Sequence, residues 1–310
     1  MIRPLELKDR ALVMQYLRRY PPETSELTFT NLFVWRKSRP ICLAEVADSL
    51  VFVVEVQENE STRRVVFGPP LGEASVADVL SALGVEVEGF ARIPRSTADE
   101  LRAAGFHVEN DRDNWDYVYL VRDAAELAGR RFHKKRNLVK QCLEAHRCEY
   151  EAIGRQNLEE CLDAQHRWCE ARECGRDAGL CAEYVAIREA FAHFEDFRLI
   201  GGALRVDGRI EAFALAEELG PGTAVCHFEK AMPGVQGLGQ VMNQWFSRHS
   251  LNRFEFVNRE QDLGVPGLRQ AKESYYPHSM VEKFTAFKEA GAFKLSLSVE
   301  PHECDKPFRR

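Results

Sequence analysis

The chain has 310 residues, 45% of them hydrophobic and 29% charged, which supplies a sizeable core and a solvated surface and excludes a disordered, collagen-like or coiled-coil chain. It contains no run of about 18 apolar residues, which excludes a membrane-spanning helix, and its opening MIRPLELKDR lacks the apolar stretch of a signal peptide. The formal net charge of −6 argues against a dedicated duplex-DNA binder and leaves open a local basic patch for RNA or phosphates.

At ~150 residues per domain the length predicts two domains. In chain order, apolar spacing and turn signals predict helices over 8–20 and 24–36, then β-type runs at 41–47, 50–57 and 63–68, the last ending in the turn Gly68-Pro69-Pro70-Leu71-Gly72. Ser75 caps a helix over 76–83; Val85 to Ile93 is a strand, 96–104 a helix, and 106–109 and 115–121 are strands. A charged helix at 130–145 and a β-type stretch at 147–153 follow. Next come helices over 156–172 and 181–193 and strands at 197–206, 209–219 and 223–231, the first two joined by the hairpin signal Asp207-Gly208. A glycine turn from Gly234 to Gly239 opens a helix over 239–249, and strand 253–258, helix 265–274 and strands near 280–287 and 293–298 complete the chain. Both halves thus read helix-helix, three antiparallel strands, glycine turn, helix, strand, helix, strands, with no residue-level identity between them. The expected fold class is α/β (α+β): domains 1–147 and 148–310, each with a mixed, largely antiparallel sheet rather than a doubly wound one.

The chain has nine cysteines, an odd number, and no export signal, which predicts reduced thiols and a cytoplasmic location. Cys161, Cys169, Cys174 and Cys181 cluster with His166 among them, but their spacing is wider than that of zinc ligands, so they read as small buried hydrophobes on two helices and no metal is expected.

Three segments carry residue types suited to chemistry. Gly129 to Lys140 holds six Lys or Arg in twelve residues, with no acid between Glu126 and Glu144. It reads either as a solvated helix face or as a surface for phosphate or an RNA backbone. The strand-turn-helix at 223–249 places His227 and Glu229 two apart on one sheet face, with Phe228 and Lys230 on the other, as an acid–base pair or as a satisfied pair in the sheet. Its Gly237 and Gly239 precede a helix N-terminus that either receives a pyrophosphate or is a plain helix entry. The run from Phe256 to Pro277 ends a strand in five polar residues, Asn258 to Asp262, well placed to line a cleft, and sets Arg269 and Lys272 three apart on the next helix.

These segments resemble a bacterial family whose best-known relative is the cytosolic C-terminal domain of phosphatidylglycerol lysyltransferase. Its pattern G-[RK]-x-[FLY]-H-K-K-R-N is matched from Gly129 to Asn137, H-x-E-K-A from His227 to Ala231, and N-R-E-Q-D-x-G-x-x-G-L-R-x-A-K-x-S-Y from Asn258 to Tyr275. Phe29-Thr30-Asn31-Leu32 with Trp35-Arg36, and Asp111 to Tyr117, match as well, so the resemblance spans nearly the whole chain. It implies two tandem GNAT-like (Gcn5-related N-acetyltransferase, acyl-CoA N-acyltransferase-like) domains. In GNAT enzymes the turn before the helix that follows the fourth strand holds the acyl-CoA pyrophosphate, and Gly237 to Gly239 occupies that place. Gly234 stands where the usual Arg or Gln would be. The lipid-modifying relatives and the Fem-type peptidoglycan transferases take an aminoacyl group from charged tRNA, which implies a basic surface such as 130–140.

The expected function is therefore an acyl- or aminoacyl-transferase, moving an aminoacyl group from charged tRNA to a small or lipid-like acceptor. The alternatives are an acetyl-CoA-dependent N-acetyltransferase and a non-catalytic ligand-binding protein on the same fold. No separate cofactor is expected beyond aminoacyl-tRNA or acyl-CoA as donor; tRNA and the acceptor are the expected partners, DNA is not. The expected catalytic residues are His227 or Glu229 as base, Glu260, and Tyr275 as acid to the leaving group. The expected donor- and substrate-binding residues are Arg130, His133, Lys134, Lys135, Arg136 and Asn137, then Lys230, Gly237, Gly239, Asn243, Asn258, Arg259, Arg269 and Lys272. His227, Glu229, Asn258, Glu260 and Arg269 are expected to line one cleft bordered by the basic block.

Overall fold

The computed structural model describes residues 1–58 and 61–288. The strand expected at 293–298, and Cys304, lie outside the described residues. The chain opens with β1 (Arg3–Pro4), α1 (Arg10–Arg19) and α2 (Phe29–Val34), then β2 (Ile41–Val46), β3 (Ser49–Glu58) and β4 (Ser61–Phe67). There follow α3 (Val76–Leu83), β5 (Gly89–Ile93), α4 (Arg95–Ala103) and β6 (His107–Asn110). Helix α3 starts and stops where its caps dictate: Ser75 accepts a bond from the Asp78 amide, and Gly84 ends it at φ +63°. The helix expected at 24–36 is shorter, because Thr28 caps it by accepting from the Asn31 amide and residues before it are engaged elsewhere.

The second stretch runs β7 (Asp116–Leu120), α5 (Val121–Glu126), α6 (His133–Ala145), β8 (Cys148–Ala152), α7 (Leu158–Ala171) and α8 (Ala178–Ala192). It continues with β9 (Ile200–Val206), β10 (Arg209–Gly220), β11 (Thr223–Ala231), α9 (Leu238–His249), β12 (Phe256–Asn258), α10 (Pro266–Glu273), β13 (Ser279–Val281) and β14 (Phe284–Phe287). Helix α5 has no counterpart in the sequence reading. Cys169, Cys174 and Cys181 pack together with Tyr184, Trp168 and Leu180, as small buried hydrophobes do, and the eight described cysteines are free.

The strands form two seven-stranded mixed sheets, ordered β1-β2-β3-β4-β5-β14-β6 and β13-β7-β12-β11-β10-β9-β8. In each, antiparallel strands lead to one parallel pair, β4 with β5 or β11 with β12, joined through a single helix, α3 or α9. That repeated arrangement is the tandem GNAT-like fold expected. In both sheets the strand beside the parallel pair comes from the other half of the chain: β14 pairs with β5, and β7 with β12. Phe284 and Ala286 of β14 belong to the core of Val51, Val53, Val66, Val79 and Phe90. This exchange makes the compact units discontinuous. The first comprises Met1–Asp116, Gln261–Leu268 and 280–288; the second comprises Tyr117–Glu260 and Arg269–Ser279. The 147/148 division read from the sequence thus falls inside the second unit, because β7, α5 and α6 build onto the β11–α9–β12 side of its sheet.

Within the first unit, Lys283 is wholly buried just ahead of β14. Its ammonium donates to Glu26 Oε2 at 2.5 Å and Asp116 Oδ1 at 2.6 Å, and Asp116 also accepts from the Ser25 amide and hydroxyl at 2.9 and 2.8 Å. Burial pushes the Glu26 carboxyl up, and the neighbouring Lys283 opposes it. Ser25 and Glu26, in the segment predicted as helix, are consumed by this cluster. Removing a partner from a buried ion cluster strands the remaining charges without solvent. Lys283→Met should cost about 3–5 kcal/mol of unfolding free energy, read by urea denaturation; a variant as stable as the parent would contradict the role given to this lysine.

Candidate functional site

The site forms in the second unit where β11 and β12 part. Their parallel register runs Thr223↔Phe256, Ala224↔Val257 and Val225↔Asn258, after which β12 ends and β11 continues. On its other side β11 pairs with β10 as Ala214↔Glu229, Leu215↔Phe228 and then Ala216↔Cys226, skipping His227. This bulge resets the alternation of side chains. Cys226 and Glu229 fall on one face of the sheet, and His227 falls on the other with Phe228 and Lys230. The expectation that His227 and Glu229 share a face is corrected by that one extra residue.

On the face covered by α9, Arg259 donates to Glu229 Oε2 at 3.0 Å. Asn243 of α9 lies beside both; with its amide oxygen toward the guanidinium it accepts from Arg259 at 2.7 Å, the assignment that avoids setting its NH2 donors against those of the guanidinium. The guanidinium also lies 5.7 Å from the Tyr119 ring centroid and 5.3 Å from that of Tyr275. The Lys135 ammonium of α6 stands 4.1 Å from the centroid of the same Tyr275 ring. Burial, and then the charge of Arg259, lower the Lys135 pKa, whereas burial raises that of Tyr275 and keeps it a phenol. Burial, with Glu229 adding to it, pushes the Cys226 thiol up to about 12. Among the described residues no carboxylate pairs with Lys135. The cluster therefore holds two cations against one carboxylate in a half-buried setting lined by tyrosines.

On the opposite face His227 is clamped between carboxylates, with Nδ1 2.8 Å from Glu260 Oε1 and Nε2 2.8 Å from Glu217 Oε1. Burial alone would lower its pKa; the two carboxylates outweigh that and raise it to about 10. An imidazolium at neutral pH with both nitrogens engaged is no general base. Glu260 adopts φ +55°, a strained conformation in which its amide bonds Asn258 Oδ1 at 2.8 Å. Lys230 donates to Glu183 Oε2 at 2.5 Å and sits 3.9 Å from the Trp168 ring, so it is neutralised under α7 and α8.

The remaining predicted residues divide by role. Lys272 straps the polypeptide after β12, donating to the carbonyls of Arg259 and Glu260. Arg136 spans the carbonyls of Leu127 and Gly129, holding the entry to α6. Gly237 has φ +82°, and a Cβ there would meet the Leu138 carbonyl oxygen at 2.2 Å, so α6 packs backbone against the start of α9. Gly239 is not crowded in this way, its nearest such neighbour being Ala231 at 3.9 Å. Arg130, His133, Lys134 and Asn137 are exposed, and Arg269 is half-buried on α10. The single cleft expected for His227, Glu229, Asn258, Glu260 and Arg269 is replaced by two ion-pair systems on opposite faces. Sequence reasoning missed Glu217, Tyr119 and Gln240; Tyr119 and Glu217 read there only as strand residues, and a bulge leaves no signature in residue type.

The raised His227 pKa has a definite sign. Its contribution to stability is complete below the ordinary value of about 6.5 and is lost as pH rises through about 10. His227→Gln leaves Glu217 and Glu260 face to face and should lose about 3–5 kcal/mol at pH 7. Urea melts of both proteins at pH 5 and 7 make the comparison; equal stability at pH 7 would contradict the clamp.

The family model for the C-terminal region of phosphatidylglycerol lysyltransferase matches residues 17–287. A conserved protein of unknown function from Bacteroides thetaiotaomicron VPI-5482 superposes with a TM-score of 0.83 at 29% identity, over 92% of this chain and 98% of that one. L-PGS from Bacillus licheniformis gives 0.64 at 15% identity, over 92% and 93%. The C-terminal domain of a putative lysylphosphatidylglycerol synthetase from Agrobacterium fabrum gives 0.62 at 13% identity, over 91% and 92%. No functionally curated protein matches by sequence.

Proposed function

The chain belongs to the phosphatidylglycerol lysyltransferase C-terminal family, and from that premise we propose that it is an aminoacyl transferase working on the α9 face of the second unit. The observation that carries this reading is an excess of cation: among the described residues Lys135 and Arg259 stand together with Glu229 as the one paired carboxylate, beside Tyr275. A pre-placed excess of positive charge in a partly desolvated site stabilises a developing oxyanion. The donor is a charged tRNA and the acceptor a small or lipid-like amine or alcohol. The acceptor nitrogen or oxygen attacks the ester carbonyl, and the bond from that carbon to the ribose oxygen breaks. Glu229 receives the acceptor proton, Lys135 and Arg259 hold the oxyanion, and Tyr275, kept protonated by burial, supplies a proton to the departing ribose oxygen. The exposed Arg130, His133, Lys134 and Asn137 carry the RNA backbone.

An acetyl-CoA-dependent N-acetyltransferase is the second reading, favoured by the glycine turn ahead of α9. Two features weigh against it. The Leu138 carbonyl packs against Gly237, where an anion would approach, and Gly234 offers no side chain to grip a phosphate. Transfer of labelled amino acid from charged tRNA, and of acetyl from acetyl-CoA, to a panel of amines tests both. The expected result is transfer from tRNA, reduced about 100- to 1,000-fold in kcat by Lys135→Gln with little change in KM. Acetyl transfer in its place would overturn the reading, and transfer from neither donor would leave a binding protein. In filter binding, Arg130→Ala with Lys134→Ala should flatten the dependence of log affinity on log salt by about 0.7 for each phosphate that is no longer neutralised.

A further inference from the structure

Lys135 differs from the other enclosed lysines of the described chain. Lys230 donates to Glu183, Lys272 to the carbonyls of Arg259 and Glu260, and Lys283 to Glu26 and Asp116. The Lys135 ammonium instead meets the Tyr275 ring, 4.1 Å from its centroid, and the Arg259 guanidinium lies 5.3 Å from the same centroid. Among the described residues no carboxylate pairs with it, the nearby Glu229 being held by Arg259. The turn of α6 that carries Lys135 is anchored, since Arg136 grips the carbonyls of Leu127 and Gly129 and the Leu138 carbonyl packs against Gly237. Lys134, one residue earlier, is exposed. Burial, and then the charge of Arg259, press the Lys135 amine toward its neutral form, which is the nucleophile. Lysines desolvated beside a second cation serve as nucleophiles for that reason.

The surroundings also select the electrophile. No acid occurs between Glu126 and Glu144, a stretch with six Lys or Arg, and Lys135 and Arg259 face the single carboxylate of Glu229. Such a field draws in a small acyl donor that carries its own negative charge. A CoA thioester fits less well, because the Leu138 carbonyl packs against Gly237, where its pyrophosphate would approach. We propose that Lys135 is a modification site at which the folded protein acylates itself from acyl phosphates. The neutral Nζ attacks the acyl carbon and an amide bond forms. The bond from that carbon to the phosphate oxygen breaks, phosphate departs, and the amine proton passes to solvent. The product has lost one of the two cations of the α9 face. The modification needs neither tRNA nor acceptor; only its consequence, loss of transfer, rests on the aminoacyl-transferase reading.

The test treats the wild-type chain with acetyl phosphate at pH 7, folded and in urea, and in a parallel arm with acetyl-CoA. Cleavage after glutamate releases 127–144, which holds Lys134, Lys135 and Lys140, and fragment masses give the acetylation of each with time. The expected result is that folded Lys135 reacts at least about twofold faster than its exposed neighbour Lys134, since the neutral fraction of an amine grows about tenfold for each unit its pKa falls. Urea should abolish the preference, and aminoacyl transfer should fall in step with Lys135 occupancy. Equal or faster reaction of Lys134 in the folded chain overturns the site. A preference that persists in urea belongs to the local sequence and overturns it as well. Modification by acetyl-CoA but not by acetyl phosphate overturns the assignment of the donor. Preferred acetylation of folded Lys135 with transfer undiminished supports the modification site and overturns the part given to Lys135 in transfer.

Discussion

The extra residue at His227 is the constraint on which the second unit depends. Past Val225 and Asn258 the parallel strands share no ladder, and polar groups at such a parting need other partners. The bulge delivers them on both faces at once. Arg259 reaches Glu229 on the α9 side, and Glu260 reaches His227 on the other, so consecutive residues leaving β12 are anchored to β11 from opposite directions. Lys272 then ties down the carbonyls of the same two residues. Without the bulge, strict alternation would set Glu229 beside His227 and leave Arg259 with no partner on its own side.

Charge accounting on the two faces separates scaffold from chemistry. The His227 imidazolium faces two carboxylates, and Lys230 faces Glu183 across the same face, so among the described residues the cations of this face are held by carboxylates. On the α9 face Glu229 is shared by Arg259 and approached by Asn243, and Lys135 adds a cation that only a tyrosine ring meets among the described residues. A desolvated ammonium beside a guanidinium is held at a cost, visible as its lowered pKa, and an incoming carbonyl or phosphate oxygen relieves that cost.

Much of this was legible in the sequence. Element order follows apolar periodicity and turn chemistry, which are local, and so the two mixed sheets and the caps at Ser75 and the glycine before α9 could be read directly. The exchange of β7 and β14 could not, because which sheet a strand joins is decided by long-range pairing: Asp116 and Lys283 look like ordinary polar residues until they are found buried against each other. At the site, residue type names candidates but not their partners. Lys135, Arg259, Glu229 and Tyr275 converge. Arg136, Lys230, Lys272 and His227, equally suggestive by type, are spent on carbonyls and carboxylates, and only partners and burial distinguish the two groups.

The central claim is that chemistry belongs to the α9 face and scaffolding to the other. The most direct measurement is aminoacyl transfer per folded molecule, from charged tRNA, for Glu229→Gln beside Lys230→Met, with unfolding free energies measured in parallel. The account predicts that Glu229→Gln loses most of its transfer per folded molecule, while Lys230→Met is destabilised and yet transfers at the parental rate per folded molecule. Parental transfer by Glu229→Gln, or loss of transfer in folded Lys230→Met, would contradict it.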